Sequence, residues 1–317
     1  MKTLAVYHKQ LGDTLLLQPA LARLAAQDGE PVGLVMRPGF ADLVRLMPGV
    51  APIGWREAPR VARLLCYDAG DRSVFVSLWC ASRLKTLLTF SSHYQKFYHS
   101  WIFQQFRLQE QEQKYRARYF WDITPGAETD IFQPPVLTPP PASWRHAGLP
   151  AKSFILVHPT SAWKRKCWPT RPWQEVISYL KSETGMPVVL TGGNSDWERE
   201  LCGEIAQGCS DIVNLGGKTS LREMIYTVSQ AAMVLCVDGF VSHLAMAFRR
   251  RCITLFGPTN VNHWHLTTPH SEAVFAGCDG KGNRHLANVT SLEMIERINP
   301  WLGLLAASGG EGRNFEC

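Results

Sequence analysis

Asp238 and His243 stand at the two edges of a single turn. An apolar run, Met233 to Val237, precedes them, and good helix formers, Leu244 to Phe248, follow. An apolar run broken by Asp238-Gly239 reads as a buried parallel strand passing into a helix. Backbone N–H groups at such a turn are unpaired and have the positive end of the helix dipole behind them. Gly239, Phe240, Val241 and Ser242 therefore suit a phosphate.

A second group follows the apolar run Phe154 to His158. Thr160 and Ser161 bring two hydroxyls, and Lys164-Arg165-Lys166 three cations, to a strand end. That mixture suits a diphosphate, although a bare run of cations also reads as a solvated turn. Gly192-Gly193 closes the strand Val188 to Thr191, and Glu198 lies in the first turns of the next helix. A carboxylate there binds ribose hydroxyls, as in dinucleotide folds, or serves only as a helix-start acid. Gly257-Pro258-Thr259 ends the strand Cys252 to Phe256. In the first half, Gly12-Asp13 separates the strand Lys2 to Tyr7 from a helix over Asp13 to Ala26. Asp13 is then either a first-turn acid or a carboxylate facing a crevice at the strand's carboxyl end.

These groups need α/β scaffolding, and the chain has room for two domains of it: 317 residues, 45% of them hydrophobic. Further strands are expected at Val32 to Met36, Val74 to Leu78 and Ile212 to Asn214. Helices are expected at Gly39 to Leu46, Ala81 to Phe90, 172–183, 196–206, 220–230 and 241–249. The proline-rich stretch Pro125 to Pro150 reads as the linker between domains 1–145 and 146–306, and the glycine-rich tail 307–317 as disordered. A G-x-G-x-x-G fingerprint is missing after the first strand of either half, which speaks against an oxidoreductase. The nine cysteines form no C-x-x-C pair, so neither a zinc site nor a disulfide framework is expected. With no long apolar run and no signal-like start, a cytoplasmic protein is expected.

The net charge of +6 is uneven: residues 1–150 hold 17 Lys and Arg against 12 Asp and Glu. A basic half suggests an acidic partner. No recognition motif accompanies the charge, so nucleic acid is not expected. From His93 to Trp121 aromatic residues interleave with Lys96, His99, Arg107, Lys114, Arg116 and Arg118. That stretch is either a solvated amphipathic helix or a surface for an anionic amphiphile at a membrane.

Taken in order, Gly12-Asp13, Lys166-Cys167-Trp168-Pro169, Leu190-Thr191-Gly192-Gly193 with Glu198, Asn214 to Leu221, Asp238 with His243-Leu244-Ala245, and Leu255 to Thr259 resemble the ADP-heptose:lipopolysaccharide heptosyltransferases. The resemblance spans most of the second domain and the first 25 or so residues, with almost none of it in 50–150. It implies a GT-B fold: two Rossmann-like, doubly wound domains facing across a cleft, acceptor on the first and nucleotide sugar on the second. Position by position, Asp13 matches the general base, Lys166 the lysine facing the donor phosphates, Ser161 the hydroxyl-bearing loop and Glu198 the ribose-binding acid. Asp238 and His243 fall in the donor-binding signature. The family's glycine two residues after that aspartate is replaced here by Phe240, with Gly239 one place earlier.

The implied chemistry is a direct, inverting displacement. A departing diphosphate accumulates negative charge, and something must stabilise it. No Asp-x-Asp occurs in the chain. The expectation is therefore metal-free stabilisation by Lys166, Lys164, the N–H groups of Phe240 to Ser242 and His243, with Asp13 deprotonating the acceptor hydroxyl. The expected partners are a nucleotide-sugar donor and a lipid-linked anionic glycan acceptor. A monomer touching the inner face of the inner membrane is expected, with no cofactor. The alternatives are a non-catalytic GT-B relic that holds a nucleotide or glycan, or a transferase using another nucleotide sugar.

Overall fold

The computed structural model describes residues 1–90, 96–111, 113–126, 130–278 and 284–308, with side chains to residue 305. His93, and the tail from residue 309, lie outside the described residues. The chain divides into two compact units, Met1–Pro139 and Pro140–Cys317.

The first unit runs β1 (Thr3–Val6), α1 (Leu11–Leu16), α2 (Gln18–Asp28), β2 (Val32–Val35), α3 (Ala41–Arg45), β3 (Val50–Ile53), β4 (Val61–Cys66), α4 (Asp71–Trp79), β5 (Ser82–Phe90), α5 (His99–Ile102), β6 (Gln104–Leu108) and α6 (Arg116–Ile123). Its sheet is six-stranded and parallel, in the order β3-β2-β1-β4-β5-β6. The second unit runs β7 (Ile155–His158), α7 (Thr170–Thr184), β8 (Val188–Leu190), α8 (Asp196–Gln207), β9 (Val213–Asn214), α9 (Leu221–Gln230), β10 (Met233–Val237), α10 (Phe240–Ala247), β11 (Arg251–Phe256), α11 (Val261–Trp264), β12 (Ser271–Phe275) and α12 (Ser291–Ser308). Its order, β9-β8-β7-β10-β11-β12, is the same winding over again. The order reverses between β1 and β4 in one unit and between β7 and β10 in the other. Loops diverge there and leave a crevice at the carboxyl ends of the strands.

In the second unit every expected strand and helix is present. Buried on both faces, its central strands are largely apolar, as in the fully buried Met233–Val237. β12 and α12 complete the unit beyond the expected elements, and α12 takes in Ala307 and Ser308 of the expected tail.

The first unit corrects several expectations. Val74 to Leu78 is helix α4, not a strand, and Ala81 to Phe90 holds strand β5, not a helix. The strand beside β1 is instead β4, whose sequence VARLLC carries a half-buried arginine. Arg63 is neutralised there by Asp28 at 2.8 Å and also donates to Thr3 Oγ1. Leu84, Leu87 and Leu88 are good helix formers, yet pairing with β4 on one side and β6 on the other holds them extended. The expected helix over Asp13 to Ala26 begins at Leu11 and is interrupted at Leu17, because Pro19 lacks the N–H that would bond to Leu15.

The basic and aromatic stretch is not one helix. It is α5, edge strand β6 and α6, which buries Ala117, Tyr119, Phe120 and Trp121. Lys114 and Arg118 both pair with Asp122, at 2.6 and 3.1 Å. Arg116 pairs with Glu110 at 3.0 Å and stacks on Phe90.

Candidate active site

In the second unit the loops after β7 and β10 meet at the switch point. The Lys164–Lys166 turn is a single 3-10 turn, closed by the Lys166 N–H donating to Trp163 O and the Cys167 N–H to Lys164 O. Its exit is fixed by Trp168. That indole is fully buried, donates to Val289 O at 2.9 Å and packs edge-on against Trp173. Two residues before this anchor, Lys166 Nζ reaches Asp238 Oδ2 at 2.7 Å across the gap between the strands. Thr259 Oγ1, from the loop after β11, donates to the same oxygen at 2.6 Å. One buried carboxylate thus ties together three strand ends.

The remaining expected residues lie around this bridge. A Cβ built on Gly239 would come no nearer than 3.9 Å to Ser161 Oγ, so the two loops run side by side with room to spare. Phe240 is the first residue of α10 and half-buried, at the position the resemblance reserves for glycine. Val241 and Ser242 follow in the first turn, where the Ser242 hydroxyl donates to Gly239 O. A Cβ on Gly257 would approach Arg165 O, which places the loop after β11 beside the cationic turn; Pro258 is exposed.

Thr160 Oγ1 accepts from the Gly193 N–H at 3.0 Å, joining the loops after β7 and β8. Glu198 is buried as the third residue of α8, and Ser195 donates to its Oε2 in a capping box. A Cβ on Gly193 would come within 2.1 Å of a Glu198 carboxyl oxygen, so the glycine leaves room for the carboxylate where it stands. Gly192 is equally confined by Cys202 Sγ. The two neighbouring lysines part company: Lys166 faces Asp238, while Lys164 lies 5.9 Å from the Trp197 ring on α8.

His243 is buried 6.3 Å from the Trp264 ring. Burial above all pushes it down to about 4; Asp238 raises it, while His265 and Lys166 lower it. It therefore offers a ring N–H at neutral pH but no positive charge, which corrects the expectation that it adds to the cationic potential. His158, which shares a 3.0 Å hydrogen bond with Thr191, and His265 are likewise pushed to about 4 by burial. The unfolded chain protonates these rings below about 6.5, and the folded chain resists until about 4. Their contribution to stability is complete above pH 6.5 and is lost as pH falls toward 4. Melting curves between pH 7.5 and pH 5 should show a falling midpoint; a flat profile contradicts the burial of these rings.

In the first unit Asp13 is half-buried in the first turn of α1, at the carboxyl end of β1. Its Gln10 N-cap makes no side-chain capping bond. Burial first, then the charges of Asp13 and Asp68, push the Tyr7 hydroxyl well above its ordinary value, so both carboxylates lie about that ring. Asp68, at the end of β4, is buried and fully engaged: Ser73 donates to Oδ2 at 2.9 Å, and the Gly70 N–H and Lys9 approach Oδ1 at 2.9 and 3.3 Å. Ser73 also meets His8 Nδ1 at 2.9 Å. Burial and the nearby Arg72 hold His8 at about 4, against the pull of Asp68.

This His8–Ser73–Asp68–Lys9 network bridges β1 and β4 much as Lys166 and Asp238 bridge β7 and β10. Sequence reasoning missed it because β4 was not recognised. With β4 in place, Asp68 stands two residues past a strand end at the switch point, which is the signal that would have found it. His158, Trp197 and His265 were missed for a plainer reason, since lone histidines and tryptophans carry no spacing.

The family model for Glycosyltransferase family 9 (heptosyltransferase) matches residues 41–289. It runs through 50–150, where no motif was read, and takes in every expected site residue except Asp13. Lipopolysaccharide heptosyltransferase 3 of Escherichia coli (strain K12) is 32% identical over 126 residues, 39% of this chain. The match spans only 36% of that relative's length. Among solved structures, the glycosyl transferase family 9 protein from Veillonella parvula DSM 2008 matches with a TM-score of 0.80 at 13% identity, covering 96% of this chain and 97% of that one. The E. coli ADP-heptose lps heptosyltransferase II matches with a TM-score of 0.78 at 20% identity, covering 96% and 99%. These likenesses carry the GT-B fold class. The family match carries the rest: this chain belongs to glycosyltransferase family 9, the heptosyltransferases.

Proposed function

We propose that the chain is a glycosyltransferase that moves a heptose, or a related sugar, from an ADP-sugar to a hydroxyl of a lipopolysaccharide core acceptor by inverting displacement. The observation that carries this reading is the bridge of Lys166 and Thr259 onto Asp238, which gathers cation, carboxylate and hydroxyl at a switch point inside the family-matched range. Lys166 and the N–H groups of Phe240 to Ser242 hold the diphosphate, with Lys164 on the side of α8. His243 offers a neutral ring N–H to the same charge. Glu198 holds ribose through the carboxyl oxygen not taken by Ser195, in line with the name of the solved ADP-heptose relative. Asp13 takes the acceptor proton. Because lysine and backbone N–H groups supply the positive potential, the reading is metal-independent. The protein acts as a monomer in the cytoplasm, at the inner face of the inner membrane.

Thermal shift against ADP, UDP and GDP tests the donor half. A nucleotide at a hundred times its Kd stabilises by about 2.7 kcal/mol, and ADP should give the largest shift. Transfer should survive EDTA; loss restored by Mg²⁺ refutes the metal-free route. Phe240 in the diphosphate turn favours one second reading, a non-catalytic binding relic. That reading predicts an ADP shift with no turnover of any ADP-sugar.

A further inference from the structure

Helix α4 has an unusual division of faces. It buries Val74 and Val76 in the core together with Ser73 and Ser77, yet turns three large apolar side chains to solvent: Phe75 is 58% exposed, Leu78 53% and Trp79 65%. The buried serines are accounted for by the network with His8 and Asp68 and by the Ser77 hydroxyl donating to Ser73 O at 2.7 Å. Trp55 extends the outward rings, with its own ring edge-on to Phe75 at 6.5 Å and to Trp79 at 5.9 Å. At the other end of α4, Asp71 pairs with Lys96 and accepts from the Tyr98 hydroxyl at 2.9 Å. These bonds bring up α5, where Phe97 and Trp101 are 76% and 80% exposed and meet edge-on at 5.6 Å. Isolated exposed apolar residues are ordinary; two clusters of exposed rings on helices joined through Asp71 mark an interaction site.

We infer that this α4–α5 surface docks on an anionic lipid bilayer. Cations are threaded through it. Arg56 stacks on Trp55 at 4.8 Å, Lys85 donates to Leu78 O at the end of α4, Arg72 is exposed on its first turn, and Lys96 flanks Phe97. Against them stand Asp71, already bound to Lys96 and Tyr98, and the exposed Glu57. Exposed tryptophans settle at the headgroup level of a membrane, and basic residues beside them are drawn to anionic lipids. A second copy of the chain fits less well. A two-fold contact sets the same patch against itself, which opposes cation to cation, and protein interfaces are depleted in lysine. Among the described residues no helix is long and apolar enough to cross a membrane, so contact through this patch is peripheral. The choice of a lipid rests in part on the proposed lipid-linked acceptor. It also moves the contact away from Lys114, Arg116 and Arg118, which the structure commits to Asp122 and Glu110.

Flotation with phosphatidylcholine vesicles, with and without phosphatidylglycerol, tests it without donor or acceptor, so its failure is separate from any failure of the transfer reading. The parent should float with the anionic vesicles only and be released by salt. Phe75→Ser/Trp79→Ser should bind roughly tenfold more weakly or worse, with ADP affinity unchanged. Trp101→Ser, on a different helix, should show the same direction should the double variant fold poorly. Equal binding to both vesicle types overturns the proposal, as do no binding by the parent and variants that bind like the parent. A concentration-dependent dimer abolished by Trp79→Ser overturns it in favour of self-association.

Discussion

Asp13→Asn should lower the transfer rate by roughly 10²–10⁴ while leaving ADP affinity where it was. Asparagine keeps the size of the side chain and its place in the first turn of α1, so the fold of the first unit is not at stake; the change removes only the ability to take a proton. Two carboxylates lie about the Tyr7 ring, and the choice between them follows from how each is held. Asp68 is buried and spends both oxygens on Ser73, the Gly70 N–H and Lys9, which makes it a fixture of the loop. Asp13 is the half-buried one, at the carboxyl end of β1. The donor-side residues all belong to the other unit, so a base in the first unit should move kcat without touching nucleotide binding. Wild-type turnover in Asp13→Asn removes it as the base and turns attention to neutral His8. A loss of ADP affinity equal to the loss of rate assigns it a binding role instead.

How far the sequence could be read follows one physical distinction. Parallel strands buried on both faces are largely apolar, so Met233–Val237 and its neighbours announce themselves, and each loop after them is thereby placed at a strand end. The second unit was legible for that reason. In the first unit, β4 hides an arginine that only its pairing with Asp28 makes tolerable. α4 buries serines beside Val74 and Val76 and exposes rings, so its apolar run imitates a strand. Both departures are tertiary, and no window of sequence contains the partner that explains them. Within the site, spacing alone brought Lys164, Arg165 and Lys166 equally to one crevice. Which of them meets Asp238 was decided by Trp168, whose burial against Trp173 and bond to Val289 O fix where the turn ends.

Lys166→Ala is therefore expected to act twice, and the two effects can be separated. The first is functional. A charge-assisted hydrogen bond is worth about 1.5–3 kcal/mol, so ADP affinity should fall roughly tenfold to a hundredfold. Loss of a group that stabilises developing negative charge should cost roughly 10²–10³ in rate as well. The second is structural. Asp238 is buried, and among the described residues its charge then keeps the Thr259 hydroxyl in place of the ion pair. Breaking a buried pair by removing one partner costs about 3–5 kcal/mol, an upper bound here because Lys166 is partly open to solvent, and the melting midpoint should drop. Adding Asp238→Asn removes the stranded charge while keeping an acceptor for Thr259. The double variant should recover most of the midpoint and none of the transfer activity. If it recovers both, Lys166 is only a counter-ion for Asp238, and the diphosphate is held by the N–H groups of Phe240 to Ser242 with Lys164. If ADP affinity is unchanged in the single variant, the cationic turn is a solvated loop that happens to carry a salt bridge.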